Sequence, residues 1–152
     1  MSIERRIAEL GLTLPDVAPP VANYVPFTQS GAIVHISGQL SSLAGEAIKG
    51  DVGGDIDVEA AVRAAHLCGL NLLAQFRAAC EGDWARFGRL LKLGVFVQAA
   101  PGFDAIPQVA NGCSDLMAEV LGDSGRHARS AVGVFRLPFG CAVEVDAAIE
   151  LR

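Results

Sequence analysis

Between Asp57 and Cys80 the sequence carries one long helical stripe. Ala61, Val62, Ala65, Cys68, Gly69, Leu72, Leu73, Phe76 and Cys80 recur at helical spacing, with Glu59, Arg63, His66 and Arg77 opposite. A helix with one broad apolar face has to lay it on another element, so the partner elements decide the fold. Those partners read as strands. After a Ser30-Gly31 turn, Ala32–Leu40 alternates Val34, Ile36 and Leu40 with Ile33, His35, Ser37 and Gln39, and Tyr24–Gln29 precedes it as a second strand-like run. Leu90–Ala99 is apolar on both faces, with Leu91, Leu93, Val95 and Val97 against Leu90, Gly94 and Phe96, which predicts a strand covered on both sides.

A second helix is predicted from about Ala105 to Leu121, with Asp104 near its cap, Pro107 in its first turn and Gly122 at its end. Its buried face is Ile106, Val109, Cys113, Leu116, Met117 and Val120. Arg129–Arg136 and Cys141–Leu151 close the chain as strands. At the other end, Ser2–Leu10 reads as a short helix capped by Ser2 and stopped by Gly11. Leu14–Ala22, with Pro15, Pro19 and Pro20, is an extended connector, and Ser41–Asp57 is a loop in which Gly50–Gly54 reads as mobile and turn-rich. The order α, β, β, α, β, α, β, β over 152 residues fits one α+β domain, with residues 1–22 as its N-terminal helix and connector. The expected architecture is a two-layer sandwich: a mixed sheet of about six strands with two long helices on one face.

Such a sandwich leaves the other sheet face uncovered. Hydrophobic residues make up 51% of the chain and charged residues 19%, with mean hydropathy +0.38, slightly above an ordinary monomer. A membrane does not account for the excess: the uncharged stretch Val17–Gly45 is broken by Pro19, Pro20 and Pro26, and the next candidate carries Arg63, His66 and Arg77. Association through the open face is the natural outlet. A net charge of −5, with lysine only at Lys49 and Lys92, argues against nucleic acid or anionic lipid as partners. The four cysteines, Cys68, Cys80, Cys113 and Cys141, form no CxxC pair and read as buried small hydrophobes of a cytoplasmic protein.

There is no Walker loop, HExxH or nucleophile elbow, and no pattern calls for a metal or cofactor. What stands out is charge set into apolar strands. Arg129 opens a strand in HARSAVGVF and Glu144 sits within CAVEVDAAIE. An arginine held on a sheet can grip a planar carboxylate through two parallel hydrogen bonds, and a desolvated glutamate can position or deprotonate a water. The alternative is a half-exposed strand on which Arg129 simply pairs with Glu144, Asp146 or Glu150.

The stretch ARSAVGVFRLP followed by VEVDAAIE, together with NYVPFTQSG, VHISGQL, LLKLGVFVQAAPGF and ANGCSDLMAEVLGDSGRHARSAVG, resembles the YjgF/RidA (reactive intermediate deaminase) family. The extra N-terminal helix and the GRHARSAVG wording are similar to a subgroup labelled endoribonuclease L-PSP/chorismate-mutase-like. The resemblance implies a chorismate-mutase-like fold and homotrimers with clefts between subunits. It also implies cofactor-free hydrolysis of reactive 2-imino or 2-enamino acids to 2-oxo acids and ammonia. On this resemblance Arg129 binds the substrate carboxylate, Glu144 holds the water, and Tyr24 reaches the cleft from a neighbouring subunit. Gly38, Ser37 and Asn111 line the cleft. Ala131 stands where many members carry a reactive cysteine, leaving only a backbone N–H for substrate, and His127 stands where proline is common, as either a substrate-binding cleft group of the subgroup or a solvated loop residue. Two other functions remain open: a non-catalytic trimeric binder or sensor of small carboxylates, and an endoribonuclease, against which the charge balance argues.

Overall fold

The computed structural model describes residues 1–17 and 23–152, so the part of the predicted connector at 18–22, with Pro19 and Pro20, lies outside the described residues. Helix α1 (Ile3–Glu9) begins as the sequence suggests, with the Ser2 hydroxyl accepting from the Arg5 N–H at 3.2 Å. Strands β1 (Phe27–Ser30) and β2 (Ile33–Leu40) follow, then β3 (Ser42–Leu43), β4 (Glu46–Ala47) and helix α2 (Val58–Ala79). The chain closes with β5 (Phe87–Gln98), α3 (Ile106–Leu121), β6 (Ala128–Val134) and β7 (Val143–Leu151).

Among the described residues the main sheet has five strands in the order β1-β2-β7-β5-β6, and β3 pairs with β4 as a separate two-stranded ribbon. Of these neighbours, β5 and β6 run parallel, joined by α3 as a crossover; the others are antiparallel. Both long helices pack on one face. Beneath them lie Val34 and Ile36 of β2, Val143, Val145 and Ile149 of β7, and Leu90, Leu93, Val95 and Val97 of β5, all buried. All four cysteines are free and buried, as their spacing suggests. Burial pushes the Cys113 thiol up to about 12, although Arg129 pulls the other way.

The helices meet through glycines. A Cβ on Gly112 of α3 would strike the Val62 carbonyl oxygen of α2, with the carbonyl carbon at 2.9 Å, and one on Gly69 of α2 would lie 2.8 Å from Leu116 Cδ2. Removing the side chain at these two points lets the backbones approach and sets how both helices sit over the sheet.

Several local expectations are corrected. The first strand starts at Phe27, not Tyr24, which lies in the irregular segment before it. The α3 cap is Ala105 and has no side-chain hydrogen bond, so Asp104 does not cap it. The predicted loop Ser41–Asp57 contains the β3–β4 ribbon, and its glycine-rich part is fastened down. Val52 is fully buried there, and Asp51 Oδ1 accepts from Gln98 Nε2 and Arg136 Nη1, each at 2.9 Å. In β5 a bulge between Leu90 and Lys92 shifts the alternation, so Leu90 enters the core while Leu91 is only half-buried.

The uncovered face is also less apolar than expected. It carries Glu144, Asp146 and Glu150 of β7, His35 of β2 and Lys92 of β5. Besides Met1 and Leu10, the large exposed apolar side chains sit toward the two ends of the strand order, Val132 among them on this same face. Tyr24 (60%) and Val25 precede β1, while Val132, Phe135 (83%) and Phe139 (81%) belong to β6 and the loop after it.

Gly112→Ala is expected to lower the denaturant midpoint by the equivalent of about 1–3 kcal/mol, because the clash is with backbone and no rotamer relieves it. Asp57 caps α2, its Oδ1 accepting from the Ala60 N–H at 2.9 Å, so Asp57→Ala is expected to cost about 1 kcal/mol in the same measurement. Unchanged midpoints in both variants would contradict this account of how the helices are set.

Candidate functional site

Arg129 lies near the start of β6, an edge strand. Its register partner on β5 is Leu93, a buried core residue, so the arginine shares the helix-facing side of the sheet. There α3 supplies its neighbours: Arg129 Nη1 donates to Asn111 Oδ1 at 2.9 Å and to Ser114 Oγ at 3.1 Å. Both acceptors are neutral. Among the described residues the ion pairs made by arginine belong to Arg5, Arg63, Arg86, Arg126 and Arg136, and none involves Arg129. Pairing with Glu144, Asp146 or Glu150, the alternative that the sequence left open, is therefore not what the fold makes.

His127 stands two residues upstream, with Nε2 2.9 Å from Ser114 Oγ and Nδ1 2.6 Å from the Gly125 carbonyl oxygen. Ala131, two residues downstream of Arg129, is half-buried and packs against the core, so no side-chain donor stands there. Ser114 was not singled out from the sequence. The available signal was its spacing: on a helix, residues three apart share a face, and Asn111 and Ser114 both face Arg129.

A second group of candidate residues gathers elsewhere. Glu144 alternates with buried Val143 and Val145 and so points to the uncovered face. Burial pushes its carboxyl above the ordinary glutamate range, and the Asp146 charge adds to this. The β2–β7 pairing shifts register between Ile36 and Gln39, which places Gly38 against this carboxyl; a Cβ there would strike Glu144 Oε1 and lie 2.9 Å from its Cδ. Beside Gly38, the Ser37 hydroxyl donates to the Val25 carbonyl oxygen at 2.7 Å, and the Ser37 N–H to that of Pro26 at 2.9 Å. These two bonds tie the segment carrying exposed Tyr24 to β2.

The same arrangement recurs one strand over, which the sequence did not disclose. A Cβ on Gly94 of β5 would strike Asp146 Oδ1, and its Cγ would be 3.2 Å away. Burial raises the Asp146 carboxyl, while the Gly94 backbone hydrogen bond, Lys92 and His35 pull it back. These residues, with Phe96 and Ser130, line a cavity of about 430 Å³.

The candidate residues thus fall into two groups. Arg129, Asn111, His127 and Ala131 belong to the β6 edge and the helix side. Glu144, Gly38, Ser37 and Tyr24 belong to the β1-β2-β7 half, with Glu144 on the opposite face. The single chain does not bring Arg129 and Glu144 together. Among the described residues, no three His, Cys, Asp or Glu side chains converge as a metal site requires.

Comparison with known proteins accords with this fold. The family described as "YjgF/chorismate_mutase-like, putative endoribonuclease" matches residues 4–149. Protein TCP17 of Trypanosoma cruzi is 45% identical, over 99% of this chain and 94% of its own. The crystal structure of Atu1372 from Agrobacterium tumefaciens, a protein of unknown function, superposes with a TM-score of 0.91 at 50% identity, covering 99% of this chain and 94% of that one. A Shewanella oneidensis protein superposes with a TM-score of 0.94 at 31% identity, covering 99% and 100%. The chain belongs to the YjgF/chorismate-mutase-like family.

Proposed function

We propose that the protein is a hydrolytic deaminase that converts reactive 2-imino or 2-enamino acids to 2-oxo acids and ammonia, in clefts between the subunits of a homotrimer. The observation that carries this reading is the state of Arg129. It is a half-buried guanidinium without a carboxylate partner among the described residues, and the hydrogen bonds it makes there all leave from Nη1. An arginine in that state suits a planar carboxylate, which it can take through two parallel charge-assisted bonds.

The split arrangement of candidate residues supports a cleft between copies. A second chain could set its Glu144 face against the Arg129 edge of the first, and the exposed Tyr24, Val132, Phe135 and Phe139 at the two ends of the sheet offer the apolar contact for such docking. In that cleft Arg129 anchors the substrate carboxylate. Glu144 takes a proton from a water as its oxygen bonds to the carbon of the protonated imine, giving a neutral tetrahedral amino alcohol. Glu144 returns that proton to the nitrogen; as the C–N bond breaks, its carboxylate takes the hydroxyl proton, the 2-oxo acid forms, ammonia leaves, and the proton passes to ammonia or solvent. Tyr24 orients the substrate from the neighbouring copy.

A second reading is favoured by the same split. The Arg129 group is complete within one chain, so it suffices for a trimeric binder or sensor of small carboxylates without turnover. The endoribonuclease description carried by the family meets a chain of net charge −5 with two lysines, which is poor equipment for holding phosphates.

Ammonia release from freshly generated 2-iminopropionate is expected to exceed the buffer rate, and release no faster than buffer would overturn the deaminase reading. Arg129→Ala is expected to lower kcat/KM by about 100-fold or more, through loss of the charge-assisted contacts. Glu144→Gln is expected to abolish turnover while leaving carboxylate binding intact; unaffected turnover would remove Glu144 from the mechanism. Because Glu144 acts as a base, activity falls as pH drops through its raised pKa, so the acid limb lies above that of an ordinary glutamate. Asp146→Asn removes the adjacent negative charge and is expected to move that limb to lower pH. Sedimentation as a monomer at micromolar concentration would remove the shared cleft.

A further inference from the structure

The contacts around Arg129 form a hydrogen-bond chain whose direction is set by its far end. The Gly125 oxygen, 2.6 Å from His127 Nδ1, is a carbonyl and only accepts, so Nδ1 carries the proton. In the neutral ring this leaves Nε2 bare, and Ser114 Oγ, 2.9 Å away, donates its hydrogen there. With its proton committed to His127, the serine oxygen has only lone pairs left to offer, and Arg129 Nη1 donates to them at 3.1 Å. The other Nη1 hydrogen goes to Asn111 Oδ1 at 2.9 Å. Both Nη1 hydrogens are thereby used, while Nε and Nη2 donate to no group among the described residues.

We propose that Ser114 and His127 are positioning residues for Arg129. Together they form a strut from the Gly125 carbonyl to Nη1 that presents the Nε–Nη2 edge of the guanidinium to a ligand carboxylate. The proposal rests on the reading of Arg129 as a carboxylate anchor. It gives His127 a part that neither alternative, a substrate-binding cleft group or a solvated loop residue, had assigned to it, since both ring nitrogens are engaged within the chain. Ser114 and His127 also wall a surface cavity of about 480 Å³, so the imidazole is open on one side and hydrogen bonds, not close packing, orient it. An arginine side chain loses much rotamer entropy when it is ordered, and holding one nitrogen before the ligand arrives removes part of that loss from binding.

The test combines nitrogen-15 spectra of the unliganded protein with titration by pyruvate, and circular dichroism confirms that each variant is folded. In the wild type, neutral His127 is expected to show a protonated Nδ1 and a bare Nε2; the opposite tautomer overturns the strut. The Arg129 Nε–H signal is expected to be sharp in the wild type, broadened in Ser114→Ala and His127→Ala, and sharp again in Ser114→Thr, which restores the hydroxyl. Pyruvate binding is expected to weaken about fivefold to tenfold in the two alanine variants, because the unheld arginine must then be ordered by the ligand, and to recover in Ser114→Thr. An Arg129 signal unchanged by both alanine variants overturns the strut whether or not pyruvate binds. If Arg129→Ala loses pyruvate but Ser114→Ala and His127→Ala bind it like the wild type, the strut falls and the carboxylate anchor stands. If Arg129→Ala binds pyruvate like the wild type, the anchor itself falls.

Discussion

Val143, Val145, Ala147, Ile149 and Leu151 form one unbroken buried row beneath the helices, and much of the molecule follows from that row. The strand that carries it, Val143–Leu151, pairs on both sides, with Ile33–Leu40 and with Phe87–Gln98. A doubly paired strand cannot slip by one residue without turning its whole core row outward, so the register is held by burial. The intervening residues, Glu144, Asp146, Ala148 and Glu150, are thereby committed to the other face. Of the three carboxylates there, Glu144 and Asp146 stand near the start of this doubly paired strand, on the face away from the helices.

Space for those carboxylates is made by absence of side chains next to them. Gly38 faces Glu144 and Gly94 faces Asp146, and any Cβ at either position would collide with a carboxylate oxygen. The half-buried setting that results raises both carboxyls above their ordinary range. Arg129 is treated in the opposite way. It receives neutral hydrogen-bond acceptors from Ile106–Leu121, keeps its charge uncompensated among the described residues, and lies on the face that the carboxylates do not share. A sheet keeps such groups apart as firmly as it holds each in place. Chemistry that needs both an anion grip and a carboxylate base therefore favours the meeting of two copies.

Much of the fold was legible because periodicity and burial express the same constraint. The stripe from Ala61 to Cys80 and the stripe from Val109 to Val120 each have one apolar side, and both helices use that side against the sheet or each other. Ser2 and Gly122 mark helix ends as their chemistry suggests, and Gly122 takes the positive φ for which glycine is suited. What escaped detection arises from pairing between distant segments. The bulge at Leu90–Lys92 exchanged Leu91 for Leu90 in the core, and no local pattern announces an extra residue that only the partner strand counts. The loop around Asp51 looked mobile because its glycines are local, whereas Gln98 and Arg136, which hold it, are far along the chain.

The candidate site divides along the same line. Sequence alone was enough to single out Arg129 and Glu144, because a charge inside an apolar alternation stands out wherever the strand lies, and to place Tyr24, Ser37, Gly38, Asn111, Ala131 and His127 with them by resemblance. It also determined that one apolar row faces two helices, since period-2 and period-3.6 patterns each define a face without reference to any partner. Tertiary structure alone decided that Arg129 and Glu144 look to opposite sides of one sheet and that Ser114 stands between Arg129 and His127. It also decided that Gly94 and Asp146 repeat the arrangement of Gly38 and Glu144. Each of these depends on register between strands or on how a helix lies across them, which is settled only when segments distant in the chain close on one another and bury a common core.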